Sequence, residues 1–178
     1  MAKRYVALLR GINVGNAKRV AMADLRVLVE GLGCRDVRTV LNSGNVVFTA
    51  PRADKLASRI EKALKEKFGV AARVVVLTSD ELEEVVSENT LGEQADNPSR
   101  MMVAFFVDPE CTPRLTALRK QSWSPEAFAL GRRAGYLWCP HGILESRLIE
   151  AAGRELGDGV TMRNWATVLK LHALLRAE

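Results

Sequence analysis

The sequence predicts an α+β fold made of two halves, in each of which strands and helices alternate. Short apolar runs of strand length alternate with amphipathic segments that have helical spacing. Gly, Asn and Pro residues separate these segments and mark turns. With 178 residues, of which 48% are hydrophobic and 26% charged, the chain is long enough to bury a globular core.

The first half, residues 1–78, is predicted to follow the order strand, helix, strand, strand, helix, strand. The predicted elements are strands over residues 4–9, 37–41, 46–48 and 74–77 and helices over residues 22–32 and 56–68. Apolar residues three and four positions apart indicate the helices, and the turn Asn42-Ser43-Gly44-Asn45 indicates a hairpin between the middle strands. This order is that of a ferredoxin-like unit, so we predict a ferredoxin-like basic half.

The second half, residues 79–178, repeats this order with one exception. It begins with the capping-box sequence Thr78-Ser79-Asp80-Glu81, which predicts a short helix ahead of a polar linker. The further predicted elements are a strand over 102–107, a helix from 112, strands over 126–130 and 136–139, a helix over 143–152 and a last helix. A helix therefore stands where a complete unit has its final strand. We predict a variant βαββα ferredoxin-like half with a C-terminal helix.

The two halves differ in charge. Residues 1–78 contain 15 Lys and Arg against 6 Asp and Glu, a net charge of +9, whereas residues 79–178 contain 11 against 15, a net charge of −4. Such an asymmetry indicates an anionic partner for the first half. A small anionic molecule and RNA or DNA both fit this description, and a solvated basic surface without a partner fits it as well.

The sequence does not indicate a membrane-spanning, disulfide-stabilised or metal-binding protein. No apolar run approaches the roughly 20 residues of a membrane-spanning helix, and the one after Arg4 is too short for a signal peptide. The cysteines Cys34, Cys111 and Cys139 form no CxxC pair, and the chain has only 2 histidines. We expect a cytoplasmic protein with no cofactor, no metal and no membrane partner.

Two polar motifs are predicted to meet at one end of the first sheet. Arg10 ends the first strand and opens the turn Gly11-Ile12-Asn13-Val14-Gly15-Asn16, which matches neither a Walker A loop nor the GxGxxG motif. In a ferredoxin-like sheet the first and third strands are antiparallel neighbours about 4.8 Å apart. Arg10 should therefore lie beside Asn42 and Ser43. An arginine fork, amide and hydroxyl groups and a helix N-terminus together suit a phosphate or another oxyanion.

A third polar motif, Thr161-Met162-Arg163-Asn164-Trp165-Ala166-Thr167, is predicted to begin the last helix. With Thr161 as N-cap, Arg163 and Thr167 share one helical face and offer a second set of donors. We predict that the three motifs converge on one cleft that binds an anionic ligand. The predicted ligand-binding residues are Arg10, Gly11, Asn13, Gly15, Asn42, Ser43, Asn45, Arg163, Asn164 and Thr167.

The three motifs together resemble the family of domain of unknown function 1697. The resemblance rests on Arg10-Gly-Ile-Asn-Val-Gly, on Asn42-Ser-Gly-Asn with the later Phe48, and on Thr161-Met-Arg-Asn-Trp-Ala-Thr. It extends over essentially the whole chain. It implies a fold of two ferredoxin-like α+β halves, and it implies no activity.

The sequence leaves the function open between a small-ligand binding protein, a nucleic-acid binding protein, an enzyme and a purely structural or oligomeric protein. The motifs contain no His, Cys, Asp or Glu, so they carry no acid–base or metal signature. An RNA-binding sheet of this type stacks bases on aromatic side chains, for which Tyr5 and Phe48 are available. Binding of a phosphate-bearing nucleotide or metabolite is the function that we expect, and the oligomeric state is not predicted.

Overall fold

The computed structural model describes residues 2–13, 15, 19–107, 110 and 112–177. In this part of the chain it contains two four-stranded antiparallel sheets. The chain divides into two compact units, which are unit 1, Met1–Leu82 with Leu171–Glu178, and unit 2, Glu83–Lys170. The predicted α+β fold of two ferredoxin-like halves is confirmed, whereas residues 1–78 and 79–178 as separate domains stay a prediction.

Unit 1 contains a complete βαββαβ motif. Its elements are β1 (Lys3–Arg10), α1 (Met22–Gly31), β2 (Arg35–Val40), β3 (Asn45–Ala50), α2 (Leu56–Phe68) and β4 (Arg73–Thr78), and the chain then enters α3 (Ser79–Ser87). The sheet order is β2-β3-β1-β4, so β1 and β3 are the central strands. The predicted capping box forms at the start of α3, because the amide of Thr78 donates to Glu81 Oε2 at 2.8 Å and the amide of Glu81 to Thr78 Oγ1 at 3.1 Å.

Alternation along β1 decides which side chains enter the core of unit 1. Tyr5, Ala7 and Leu9 pack with the apolar residues of α1 and α2 in one cluster. Successive side chains of a strand point to opposite faces of the sheet. The even-numbered residues from Arg4 to Arg10 therefore share the other face, on which Arg4 and Arg10 stand at opposite ends.

Unit 2 contains a second complete βαββαβ motif, whereas a motif without its final strand was predicted for this half. Its elements are β5 (Met101–Phe106), α4 (Thr112–Arg119), β6 (Ala127–Leu130), β7 (Ala134–Trp138), α5 (Arg147–Leu156) and β8 (Val160–Asn164), followed by α6 (Trp165–Arg176). The sheet order is β6-β7-β5-β8. The prediction that the final strand is missing is wrong, because β8 pairs with β5 in the register Phe105↔Thr161 and Val103↔Arg163. None of the described helices has the length and apolar character that crossing a bilayer requires.

Charged groups join α3 to the turn between β6 and β7 within unit 2. The carboxylate of Glu84 accepts hydrogen bonds from Arg132 Nη1 at 2.5 Å and from Arg133 Nε at 2.9 Å. Next to these bonds, the buried hydroxyl of Tyr136 donates to the carbonyl oxygen of Val85 at 2.6 Å. The hydrogen bond from Arg133, together with the charge of Arg132, lowers the pKa of Glu84.

We expect Glu84→Gln to destabilise the protein near neutral pH and to lose this effect in acid. A carboxyl group whose folded-state pKa is lowered stabilises the fold above its usual value, here 4.5, and the contribution disappears as the pH falls through the lowered pKa. Urea unfolding of the wild type and the variant from pH 7 downwards measures the difference. Glu93→Gln at an exposed position is the control. A difference that persists unchanged in acid would contradict the ion-pair explanation.

Candidate functional site

The C-terminal end of β1 brings Arg10 beside the turn that precedes β3. Leu8 lies opposite Asn45, and the amide of Leu9 donates to the carbonyl oxygen of Gly44 at 2.8 Å. Continuing this register by one step places Arg10 next to Ser43. The prediction that these two residues share one end of the sheet is therefore confirmed.

The glycine turn after β1 packs closely against its neighbours. Gly11 has a φ of +83°, and a Cβ atom there would lie 3.2 Å from the carbonyl oxygen of Ala71. The side chain of Ile12, only 2% exposed, is packed against Gly44 of the opposite turn. The two turns are thus held together by a buried apolar contact. Val14 and Asn16 of this motif lie outside the described residues.

Asn13 ties the glycine turn to the segment that leads into α1. Its Nδ2 donates to the carbonyl oxygen of Val20 at 3.0 Å, and its Oδ1 accepts from the amide of Val20 at 2.8 Å. The same Nδ2 lies 3.4 Å from the carbonyl oxygen of Asn42. Both polar atoms of Asn13 therefore serve to position the turn.

Asn45 shapes the second turn from inside, while Asn42 and Ser43 face the solvent. Asn45 is fully buried, and its Nδ2 donates to the carbonyl oxygen of Val40 and to Ser43 Oγ, each at 2.9 Å. These two bonds link the end of β2, at Val40, to the exposed hydroxyl group of Ser43 in the turn. Asn45 thereby fixes where the hydroxyl of Ser43 is presented.

A second arginine, which was not among the predicted site residues, lies at the same end of the sheet. Arg10 is directly opposite Arg73, the first residue of β4. Arg73 is exposed, and its Nε lies 3.8 Å from Glu61 Oε1. The predicted strand order contained the signal, because the strand after α2 runs antiparallel to β1 and its first residues must lie near the end of β1. We call Arg10, Arg73, Asn42 and Ser43 the Arg10 site.

The third motif belongs to unit 2, and its local structure differs from the prediction. Thr161 lies in β8 and does not cap α6, because the Oδ1 of Asn164 caps the helix by accepting from the amide of Thr167 at 2.9 Å. Arg163 also lies in β8, so it does not share a helical face with Thr167. Asn164, three residues further along the chain, therefore caps the helix in place of Thr161.

Arg163 is buried in unit 2 at 8% exposure. Its Nη1 donates to Thr161 Oγ1 at 3.0 Å and to the carbonyl oxygen of Met162 at 2.8 Å. Burial lowers the pKa of Arg163 to about 10, so the guanidinium remains charged at neutral pH. Ligand binding by Arg163, Asn164 and Thr167, and the convergence of the three motifs on one cleft, stay predictions.

The cysteine and histidine near residue 140 do not form a catalytic pair. The thiol of Cys139 is 1% exposed and lies 3.3 Å from Ser146 Oγ, and burial raises its pKa. Ser146 caps α5 and also donates to Glu126, whereas His141 is exposed. A buried protonated thiol is a poor nucleophile. Cys111 lies outside the described residues.

Comparison with protein families identifies the chain. The model of the family described as protein of unknown function DUF1697 matches residues 2–136. The chain belongs to the DUF1697 family.

A solved structure shows the same fold as this DUF1697 chain. The conserved bacterial protein SP0830 from Streptococcus pneumoniae superposes with a TM-score of 0.77 and is 22% identical in sequence. The match covers 99% of this chain and 100% of that protein. No curated protein matches the chain significantly. These comparisons establish the family and the fold.

The chemistry of the Arg10 site in this DUF1697 member is that of hydrogen-bond donors and positive charge. Two guanidinium groups, a hydroxyl and an amide can bind and orient an oxyanion. Among the residues that the structure describes, no group of three His, Cys, Asp or Glu side chains is arranged to hold a metal ion. The arrangement therefore suits the recognition of an anion better than the transfer of a proton.

The aromatic residues of the first sheet lie on its covered face. The rings of Tyr5 and Phe48 are stacked with centroids 5.7 Å apart, and both residues belong to the core that α1 and α2 cover. Their exposures are 6% and 2%. In this conformation the two rings offer no surface on which a base could stack.

Proposed function

We propose that this protein binds a small anionic ligand, a phosphate-bearing nucleotide or metabolite, at the Arg10 site. The observation that carries the proposal is the placement of Arg10 directly opposite Arg73 across β1 and β4. Like charges at directly opposed strand positions destabilise a sheet. A bound anion beside the two guanidinium groups would reduce their mutual repulsion and form two charge-assisted contacts.

The surroundings of the two arginines support the same proposal. Ser43 and Asn42 are exposed beside Arg10, and they add a hydroxyl and an amide to the two charged groups. The turns that carry them are held in place by Asn13 and Asn45. A rigid support of this kind lowers the entropic cost of binding, since the donors are positioned before the ligand arrives. Asn13 and Asn45 thus act as positioning residues.

The proposed compartment is the cytoplasm. Cys34 and Cys139 are free and buried, and burial raises the pKa of both thiols. Buried, unpaired cysteines such as these two suit a reducing compartment.

Thermal unfolding with phosphate-bearing probes tests the proposal. We expect inorganic pyrophosphate or ADP at millimolar concentration to raise the Tm of the wild type by several degrees, because a ligand present at 100 times its Kd stabilises the native state by about 2.7 kcal/mol. Arg10→Gln should abolish the shift and Arg73→Gln should reduce it, each measured against the variant's own Tm without ligand.

The matched control is Arg26→Gln, because Arg26 is an exposed arginine of the same unit whose partner is Glu30 on α1. This variant should keep the full shift. A wild type that neither probe stabilises would overturn the proposal, and so would equal losses in Arg26→Gln and Arg10→Gln.

A further inference from the structure

Unit 1 contains a polar cavity at the end of the sheet opposite to the Arg10 site. Arg4 and Arg10 are six residues apart on β1, which corresponds to about 20 Å along the strand. The cavity has a volume of about 300 Å³. Its lining includes Arg4, Asp36, Arg38, Val47, Leu174 and Leu175. We call it the Arg38 pocket.

The strand register explains why charged residues meet in the Arg38 pocket. Arg38 of β2 lies opposite Val47, and Arg4 of β1 lies opposite Thr49. Val47 and Thr49 are two residues apart on β3 and share one face of the sheet. The two guanidinium groups therefore approach the cavity from both sides of β3, on the face that α1 and α2 do not cover.

A bulge in β2 adds a carboxylate to the same cavity. The register of β2 against β3 shifts between Arg35 and Arg38. Asp36 lies within this irregularity with a φ of +52°. Left-handed backbone is uncommon for residues other than glycine, and bulges are frequent beside functional sites, where they redirect a side chain.

The charged side chains of the Arg38 pocket form no salt bridge within the described part of the chain. Arg38 and Asp36 are exposed and form no ion pair with a described residue. Arg4 donates from Nη1 to the carbonyl oxygen of Leu175 at 3.2 Å, which engages one of its five N–H groups and brings the end of α6 to the cavity wall. The pocket thus presents two cationic forks, one carboxylate and an apolar wall formed by Val47, Leu174 and Leu175.

We propose that the Arg38 pocket binds a free amino acid with an apolar side chain. The pocket carries two positive charges and one negative charge, so a simple cation would be repelled by the two arginines and a simple anion would leave Asp36 without a partner. A zwitterion satisfies both, with its carboxylate on Arg38 and Arg4 and its ammonium on Asp36. The cavity volume is at the lower end of the usual 300–1,000 Å³ range of ligand pockets, which suits a single amino acid. This inference concerns a site separate from the Arg10 site and goes beyond the proposed function.

Calorimetric titration of the full chain with L-leucine and two fragments of it tests this proposal. 4-Methylpentanoate lacks the ammonium group, and 3-methylbutylamine lacks the carboxylate. We expect L-leucine to bind, and each fragment to bind at least about tenfold more weakly, because the acid loses the contact with Asp36 and the amine loses the contacts with Arg38 and Arg4. Inorganic phosphate is titrated in parallel as a simple anion.

Three substitutions on β2 locate the binding. Arg38→Gln and Asp36→Asn should each weaken L-leucine binding about tenfold or more. Asn tolerates left-handed backbone as Asp does, so Asp36→Asn preserves the bulge. Arg35→Gln is the matched control, since Arg35 is exposed on the same strand and does not line the cavity. It should leave the affinity unchanged.

Each other outcome of these titrations counts against the proposal. No heat of binding with L-leucine at millimolar concentration would overturn it. Tighter binding of phosphate or 4-methylpentanoate than of L-leucine, strengthened by Asp36→Asn, would identify a simple anion site in place of an amino acid site. Equal weakening by Arg35→Gln and Arg38→Gln would show that binding takes place outside the pocket.

Discussion

Gly44→Ala is expected to destabilise the protein by about 3 kcal/mol, combining a left-handed backbone cost of about 1–2 kcal/mol with an overpacking cost of about 1–3 kcal/mol. Gly44 has a φ of +78°, and a Cβ atom there would lie 2.8 Å from Ile12 Cδ1 and 3.0 Å from Leu9 Cβ. Leu9 and Ile12 are buried at 1% and 2% exposure and have little room to move. The substitution would therefore force apart the two turns that carry the Arg10 site.

The matched control for this variant is Gly33→Ala. Gly33 has a φ of +91° but no neighbouring atom within 4 Å of the added Cβ, so it bears the backbone cost without the clash. We expect it to lose about 1–2 kcal/mol. Urea unfolding of both variants measures the difference. Equal losses in the two variants would mean that the contact between Gly44 and Ile12 does not hold the turns together.

The part of the candidate site in unit 1 could be predicted because it depends on strand order. Once the βαββαβ order was read from the sequence, the antiparallel pairing of β1 with β3 followed, and with it the neighbourhood of Arg10 and Ser43. The roles of Asn13 and Asn45 could not be predicted in the same way. A turn sequence does not distinguish an asparagine that will be exposed from one that will be buried. Only the fold shows which side-chain amides form hydrogen bonds with the backbone.

The last strand of unit 2 could not be predicted because its sequence carries two competing signals. Val160 and Met162 alternate with Thr161 and Arg163 as a strand requires, but over only five residues. Thr161 followed by polar residues and Trp165 also fits a helix start. Pairing with β5 decides between these signals, and such long-range contacts are absent from a local pattern. Arg163 is consequently a buried strand residue of unit 2, where the sequence suggested a donor in the first helical turn.

Asn45→Ala is expected to destabilise the protein by about 2 kcal/mol, because it removes a fully buried amide and leaves a carbonyl group without its donor. The amide of Asn45 donates to the carbonyl oxygen of Val40 and to Ser43 Oγ, both at 2.9 Å. Between them Leu41 has a φ of +59° and is 49% exposed, an unfavourable conformation that these bonds hold in place. The turn should therefore relax, and Ser43 should lose its fixed position.

The comparison of Asn45→Ala with Asn42→Ala separates a positioning role from direct contact with the ligand. Asn42 is exposed, and its backbone carbonyl, which faces Asn13, is retained in the variant, so we expect its stability to stay within about 0.5 kcal/mol of the wild type. Urea unfolding and the pyrophosphate Tm shift are measured for both. If Asn45 positions the site, its variant loses stability and Tm shift together, whereas the Asn42 variant loses only the shift. A stable Asn45→Ala protein with the shift removed would instead make Asn45 itself a ligand contact, which its complete burial argues against.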